Sequence, residues 1–217
     1  VDYLLQVCEA MAEAHGLGII HRDLKPANVF LANRVDGVPV VKVLDFGIAK
    51  SAVVGKSGSE GLTATDVVMG SVRYMSPEQI RGLRNADARS DIWSLGVILY
   101  ELVTGARPFE GESLPDAMMR IAADPPRPIP AGTLHPTFAA AIMRCLEKDP
   151  RARPQTIAEL AQSLAPFGPP DAPASIARIH RSLAAASQRV PGTFPGPAAP
   201  AIGASAPVAE TQGALGR

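Results

Sequence analysis

His21-Arg22-Asp23-Leu24-Lys25-Pro26-Ala27-Asn28, followed by Asp45-Phe46-Gly47, carries the reading of this chain. Upstream, Leu4, Val7, Cys8, Met11 and Ala12 recur at helical spacing, and Gly16 and Gly18 stop the helix. Between the two motifs, Val29 to Leu31 and Val40 to Leu44 read as short strands. Asn33 to Pro39, with Asp36-Gly37 inside it, turns between them. The first motif thus enters a hairpin and the second leaves it. A long Gly-, Ser- and Thr-rich loop runs from Asp45 to Glu78. Ser90 or Asp91 starts a strong helix, Ile92 to Thr104, ended by Gly105 and Pro108. Ser113 to Ala122, Pro136 to Glu147 and Thr156 to Leu164 read as further helices. Two strands followed by helices, without βαβ alternation or internal repeat, predict a mainly α fold.

The 217 residues suffice for one good-sized domain, or a small domain plus a tail. Basic and acidic residues balance at 21 each, so no global positive field is available to hold nucleic acid or an anionic membrane. No stretch reaches the ~18 apolar residues of a membrane span. Cys8 and Cys145 lie in apolar helical patterns and read as buried, reduced thiols. The four histidines show no ligand spacing. The abundance of Arg over Lys, with much Ala and Pro, reads as the product of a GC-rich bacterial genome. From Pro166 to Arg217, Pro, Ala and Gly dominate and aromatic residues nearly vanish. Residues 166–217 are therefore expected to be a disordered linker. Within it, Ser175 to Val190 is Ala-rich and carries Arg178, Arg181 and Arg189. A solvated segment is favoured there over a transient basic helix, because short isolated helices are marginal in water.

The two motifs resemble the catalytic-loop and metal-loop signatures of protein kinases. Seven fixed positions in the first would recur by chance at ~10⁻⁹ per start point, which excludes a merely solvated charged turn. Residues 2 to 164 resemble the C-terminal lobe of a eukaryotic-like (Hanks-type) serine/threonine protein kinase of the bacterial branch. The expected domains are a kinase C-lobe over 1–165, mainly helical with a short β-hairpin, and the linker over 166–217.

The resemblance implies roles residue by residue. Asp23 would accept or orient the proton of the substrate hydroxyl, and Lys25 would approach the γ-phosphate. Asn28 and Asp45 would hold Mg²⁺, with Mn²⁺ an alternative, through hard oxygen ligands. The spacing from Asp23 to Asn28 lets one loop serve both nucleophile and metal, and the hairpin returns Asp45 to the same cleft. Phe30 would form an apolar floor under the adenine of ATP, with Ile98 and Leu102 facing up toward it. His21 would pack with Phe46 as a structural pair. Arg22 would receive a phosphate from the loop after Asp45, with Thr63 and Thr65 as the modified residues. Gly70-Ser71-Val72-Arg73-Tyr74-Met75-Ser76-Pro77-Glu78 resembles the segment that follows in the family, with Ser71 and Ser76 where Thr and Ala are usual. Ser71 keeps the hydroxyl that would bridge Asp23 and Lys25, and Lys25 with Ser71 favours Ser or Thr acceptors on a protein substrate. Glu78 would pair with Arg153, and Asp91 would bond the backbone at His21. Ala27 stands where some members carry a Glu that selects basic residues, which puts such a preference in doubt.

A Gly-rich loop, a strand lysine and its helix glutamate, which a complete kinase needs, do not occur in this sequence. The chain is therefore expected to be a fragment whose partner is a missing N-lobe, without appreciable kinase activity alone, in a cytoplasmic enzyme, with a membrane anchor of the parent beyond the tail left open. The alternative is a non-catalytic remnant acting as a binding or scaffolding module. A small-molecule phosphotransferase would share the His-x-Asp, Asn and Asp arrangement but lacks the Ser76-Pro77-Glu78 segment and the Arg153 partner.

Overall fold

The computed structural model describes residues 1–46, 70–82 and 86–187. Helix α1 (Asp2–Gly16) buries Leu4, Leu5, Val7, Cys8, Met11 and Ala12 on one face, the stripe that the helical period requires. After a 3₁₀ turn at Pro26–Asn28, strands β1 (Val29–Asn33) and β2 (Pro39–Val43) form an antiparallel hairpin. Its register pairs Val29 with Val43 and Asn33 with Pro39. The Gln6 side-chain oxygen accepts from the Val41 N–H at 2.9 Å, which ties the hairpin to α1.

Helix α2 (Pro77–Arg81) begins inside the stretch expected to be loop. Ser76 caps it, and Gln79 returns a bond to the Ser76 N–H at 2.9 Å. This reciprocal capping satisfies two backbone donors that a short helix would otherwise leave unpaired. Helix α3 (Ala88–Thr104) is buried on all sides from Ser90 to Tyr100 and forms the centre of the molecule. It starts earlier than its apolar run suggests, because the Asp87 carboxylate accepts from the Arg89 N–H. It ends at Gly105, whose φ of 68° is a left-handed cap that glycine adopts without strain. Helices α4 (Leu114–Ala123), α5 (Pro136–Cys145) and α6 (Ile157–Leu164) complete the bundle, with α5 and α6 against α3.

Gly96 lets α3 approach the end of α5. A Cβ there would lie 2.5 Å from the Cys145 Cβ and 3.2 Å from Leu146 Cδ2. Gly96→Ala is expected to destabilise the domain by about 1–2 kcal/mol, because overpacking outweighs the ~1 kcal/mol gained in helix propensity. Urea unfolding checks this, and a raised midpoint would contradict it. Cys8 and Cys145 are free, buried thiols, and burial pushes the pKa of both up.

One expectation is corrected. The solvated linker expected from Pro166 is, over Ala172–Ser187, a further helix, α7, packed along α1 and α6. Ile179 is fully buried, Ile176 and Leu183 pack against the core, and Arg178 holds the Glu9 carboxylate with two bonds of 2.7 and 2.8 Å. The marginal stability of an isolated helix does not decide the outcome here, since tertiary packing of an apolar face supplies most helical stability in proteins. Residues 188–217 lie outside the described residues. No helix among the described residues is long and apolar enough to cross a membrane.

Candidate active site

The site is assembled on the N-terminal turn of α3. Asp91 is fully buried there. Its carboxylate accepts from the His21 N–H, the Arg22 N–H and His15 Nε2, each at 2.9 Å. These bonds hold Arg22 at φ 63°, a left-handed conformation that a non-glycine residue keeps only when its surroundings over-determine it. Gln79 adds a donor to the Arg22 carbonyl at 2.8 Å. The turn so fixed sends Leu24 into the core and leaves Asp23 and Lys25 part-buried.

Lys25 Nζ lies 3.1 Å from Asp23 Oδ2 and donates to Ser71 Oγ at 2.8 Å. One ammonium therefore joins the Asp23 carboxylate to the segment around Gly70. The Asn28 amide nitrogen donates to the Asp23 carbonyl at 2.8 Å and to its carboxylate at 3.3 Å. That orientation turns the Asn28 amide oxygen away from Asp23. The Leu44 N–H donates to the Asn28 carbonyl at 2.8 Å, so the residue after Leu44, Asp45, arrives beside Asn28. Asp45 is exposed and, like Arg22, has a positive φ of 53°.

His21 Nε2 donates to the Leu44 carbonyl at 2.9 Å, and Nδ1 accepts from the Asp23 N–H at 3.3 Å. Both ring nitrogens are thereby occupied, and the ring packs on Phe46 with centroids 4.8 Å apart. Glu78 and Arg153 meet through paired bonds of 2.8 and 2.9 Å, with Arg153 fully buried beneath them. Burial raises the Glu78 pKa, but the Arg153 bonds and charge, with a Ser90 hydroxyl bond, hold it below its ordinary 4.5.

A match to the protein kinase domain family covers residues 1–164. The chain belongs to the protein kinase domain family. It is 43% identical over 169 residues to a probable serine/threonine-protein kinase PknB of Corynebacterium glutamicum, covering 75% of this chain and 25% of that protein. It is 42% identical over 168 residues to serine/threonine-protein kinase Pkn1 of Myxococcus xanthus, covering 76% and 23%. Against serine/threonine-protein kinase PknB of Mycobacterium tuberculosis it is 38% identical over 209 residues, covering 91% and 32%. The chain thus spans about a quarter to a third of the length of these curated relatives.

Within this kinase domain, Phe30 is exposed. Ile98 and Leu102 face its strand neighbours Val29 and Leu31 across an apolar groove of about 480 Å³, since strand alternation turns Phe30 to the opposite face. Thr63 and Thr65 lie outside the described residues. The guanidinium of Arg22 makes no hydrogen bond or ion pair among the described residues. Residues that sequence reasoning passed over are His15, Gln79 and Ser90, which brace Asp91, Arg22 and Glu78. Tyr74 also escaped it: its hydroxyl donates to Glu101, which Arg107 Nε contacts at 3.0 Å. Only the Ser76-to-Gln79 spacing, a capping-box pattern, carried a signal for any of these.

Asn28 and Asp45 fit a magnesium ion. Asn28 turns an amide oxygen away from its hydrogen-bonded nitrogen, and Asp45 adds an exposed carboxylate beside it. Mg²⁺ keeps several waters and phosphate oxygens and needs only one or two protein ligands, so a two-residue site suits it.

Proposed function

We propose that this domain transfers the γ-phosphoryl group of ATP to serine or threonine hydroxyls of protein substrates. The observation that carries the reading is the Asp23–Lys25–Ser71 cluster set beside Asn28 and Asp45. Phosphoryl transfer asks for an oriented hydroxyl and fixed positive charge more than for covalent chemistry. Asp23 orients the acceptor hydroxyl and takes its proton as the oxygen attacks. Lys25, held by Asp23 and Ser71, places a cation where charge develops on the transferred phosphoryl group. Asn28 and Asp45 would hold Mg²⁺, which neutralises phosphate charge and aligns the nucleotide. Phe30, exposed on the hairpin, would meet the adenine.

The nucleotide needs a second surface, so the proposed working unit pairs these residues with a nucleotide-binding N-lobe, in the cytoplasm where ATP is available. The 217-residue chain alone is expected to transfer little phosphate, because its sequence carries no Gly-rich loop. Arg22 is proposed to receive a phosphate on Thr63 or Thr65, ordering the segment before Gly70.

The test grafts residues 1–187 into the Corynebacterium relative in place of its matching segment. The chimera should transfer ³²P from ATP in a Mg²⁺-dependent manner, with acid hydrolysis of the product yielding phosphoserine and phosphothreonine. A folded chimera that binds ATP yet transfers nothing would favour the scaffolding reading, and phosphotyrosine as the main product would refute the acceptor class.

A further inference from the structure

A cavity of about 400 Å³ opens between the segment that follows Ser71 and the start of α4. Arg73, Arg107, Arg120 and Arg127 line it around Phe109. Arg73 is two residues beyond Ser71, so its Cα lies within ~7 Å of the residue that Lys25 contacts. The cavity therefore lies alongside the place where an acceptor residue must sit.

Three of the arginines are already held. Arg107 Nε meets Glu101 at 3.0 Å, Arg120 Nε meets Asp116 at 3.1 Å, and one terminal nitrogen of Arg127 meets Glu110 at 2.6 Å. Each pair fixes a guanidinium, yet a guanidinium has five N–H donors. Their remaining donors make no hydrogen bond among the described residues. Arg73, half-buried, makes no hydrogen bond or ion pair at all among the described residues. The wall bearing it is braced, since the neighbouring Tyr74 hydroxyl donates to the same Glu101 that holds Arg107.

The carboxylates are differently placed. Glu101, Glu110 and Asp116 are each occupied by an arginine, and Glu112 is the exposed remainder. The catalytic loop from Asp23 to Asn28 offers no carboxylate besides Asp23. A lysine or arginine entering this region would compete with pairs already formed. An anionic side chain would meet unused, oriented donors, and hydrogen bonds between ions are about twice as strong as neutral ones.

We propose that this arginine-lined cavity is a substrate subsite that selects an anionic side chain, carboxylate or phosphate, within a few residues of the acceptor Ser or Thr. Arg73 is its specificity-determining residue, and the held arginines shape it. The proposal rests on the kinase reading in taking an acceptor-bearing polypeptide as ligand and in placing its acceptor beside Lys25 and Ser71.

NMR titration of the 217-residue chain tests it without requiring phosphoryl transfer. The probes are peptides with one serine in an Ala/Gly background, with Glu, Lys or phosphoserine scanned through the flanking positions. At one or more positions the Glu peptide should bind about tenfold more tightly than the Lys peptide, a difference one bidentate charge-assisted contact supplies. Arg73→Ala should abolish that difference while the spectrum stays dispersed. Tighter binding of phosphoserine than Glu supports the subsite and names phosphate as its anion, and the reverse order supports it and names carboxylate. Equal affinities for Glu and Lys, a preference that survives Arg73→Ala, or no measurable binding of any peptide overturns the proposal. The two readings fail separately: a Glu preference without transfer in the chimera sinks the activity, and transfer without the preference sinks the subsite.

Discussion

Exchanging Asp23 for Asn in the chimera lowers the phosphoryl-transfer rate by roughly 10²–10⁴-fold, the range a positioned proton acceptor contributes. The substitution keeps the shape of the side chain and removes its negative charge, and with it the capacity to take a proton. The Lys25 ion pair with residue 23, 3.1 Å in the parent, is lost, and the other surrounding contacts should survive. The Asn28 bond to the residue-23 carbonyl, at 2.8 Å, runs to the backbone and is untouched by the change. Lys25 retains Ser71 Oγ at 2.8 Å. The left-handed turn at Arg22 is held by Asp91, not by Asp23. Single-turnover kinetics at saturating ATP separates the chemical step from nucleotide binding. The expected pattern is a large fall in rate with an unchanged thermal midpoint and unchanged ATP affinity. A rate above about a tenth of the parent's, where the acceptor range predicts no more than a hundredth, would reject Asp23 as the proton acceptor.

Much of this site was legible because its chemistry is concentrated in contiguous sequence. Asp23, Lys25 and Asn28 share one loop, and the turn at Asp36-Gly37 makes the return of Asp45 to that loop readable from strand pattern alone. The central helix was equally plain, since an apolar run ending at Gly105 announces both its burial and its stop. What stayed hidden depends on contacts between distant residues. His15 braces Asp91 across 76 positions, and Glu9 holds Arg178 across 169. No local pattern encodes either pair. Helix α7 shows the same limit from the other side. Its apolar residues Ile176, Ile179 and Leu183 lie at helical spacing, but in an Ala- and Pro-rich stretch they looked too sparse to fold. The face of α1 that receives them decides the outcome, and that face has no signature within the tail itself.

Arg153→Met should cost about 3–5 kcal/mol of stability, because it leaves the Glu78 carboxylate buried without its counter-ion. Arg153 is fully buried and Glu78 nearly so, and the pair is bidentate, so solvent cannot take over the lost contacts. Arg153 also donates to the Glu147, Lys148 and Arg89 carbonyls and lies 4.9 Å from the Trp93 ring, which binds the chain after α5 to the head of α3. For an ordered region of this size the loss corresponds to a fall of roughly 6–20 °C in Tm. The pH dependence identifies the cause. In the parent, the folded pKa of Glu78 lies below its ordinary 4.5, so the pair's contribution is complete above that value and is lost as pH falls through the folded pKa. In Arg153→Met, burial without the guanidinium should raise the folded pKa above 4.5. Acid then relieves the stranded charge, and the penalty grows as pH rises from 4.5 toward the raised folded pKa. The stability gap between parent and variant should therefore narrow from pH 7 toward pH 4. The double variant Glu78→Met/Arg153→Met should recover most of the loss at pH 7, since replacing both members of a buried pair by apolar residues is often near neutral. A double variant no more stable than Arg153→Met, with a gap that does not change with pH, would mean that Arg153 acts through its three carbonyl bonds and not through Glu78.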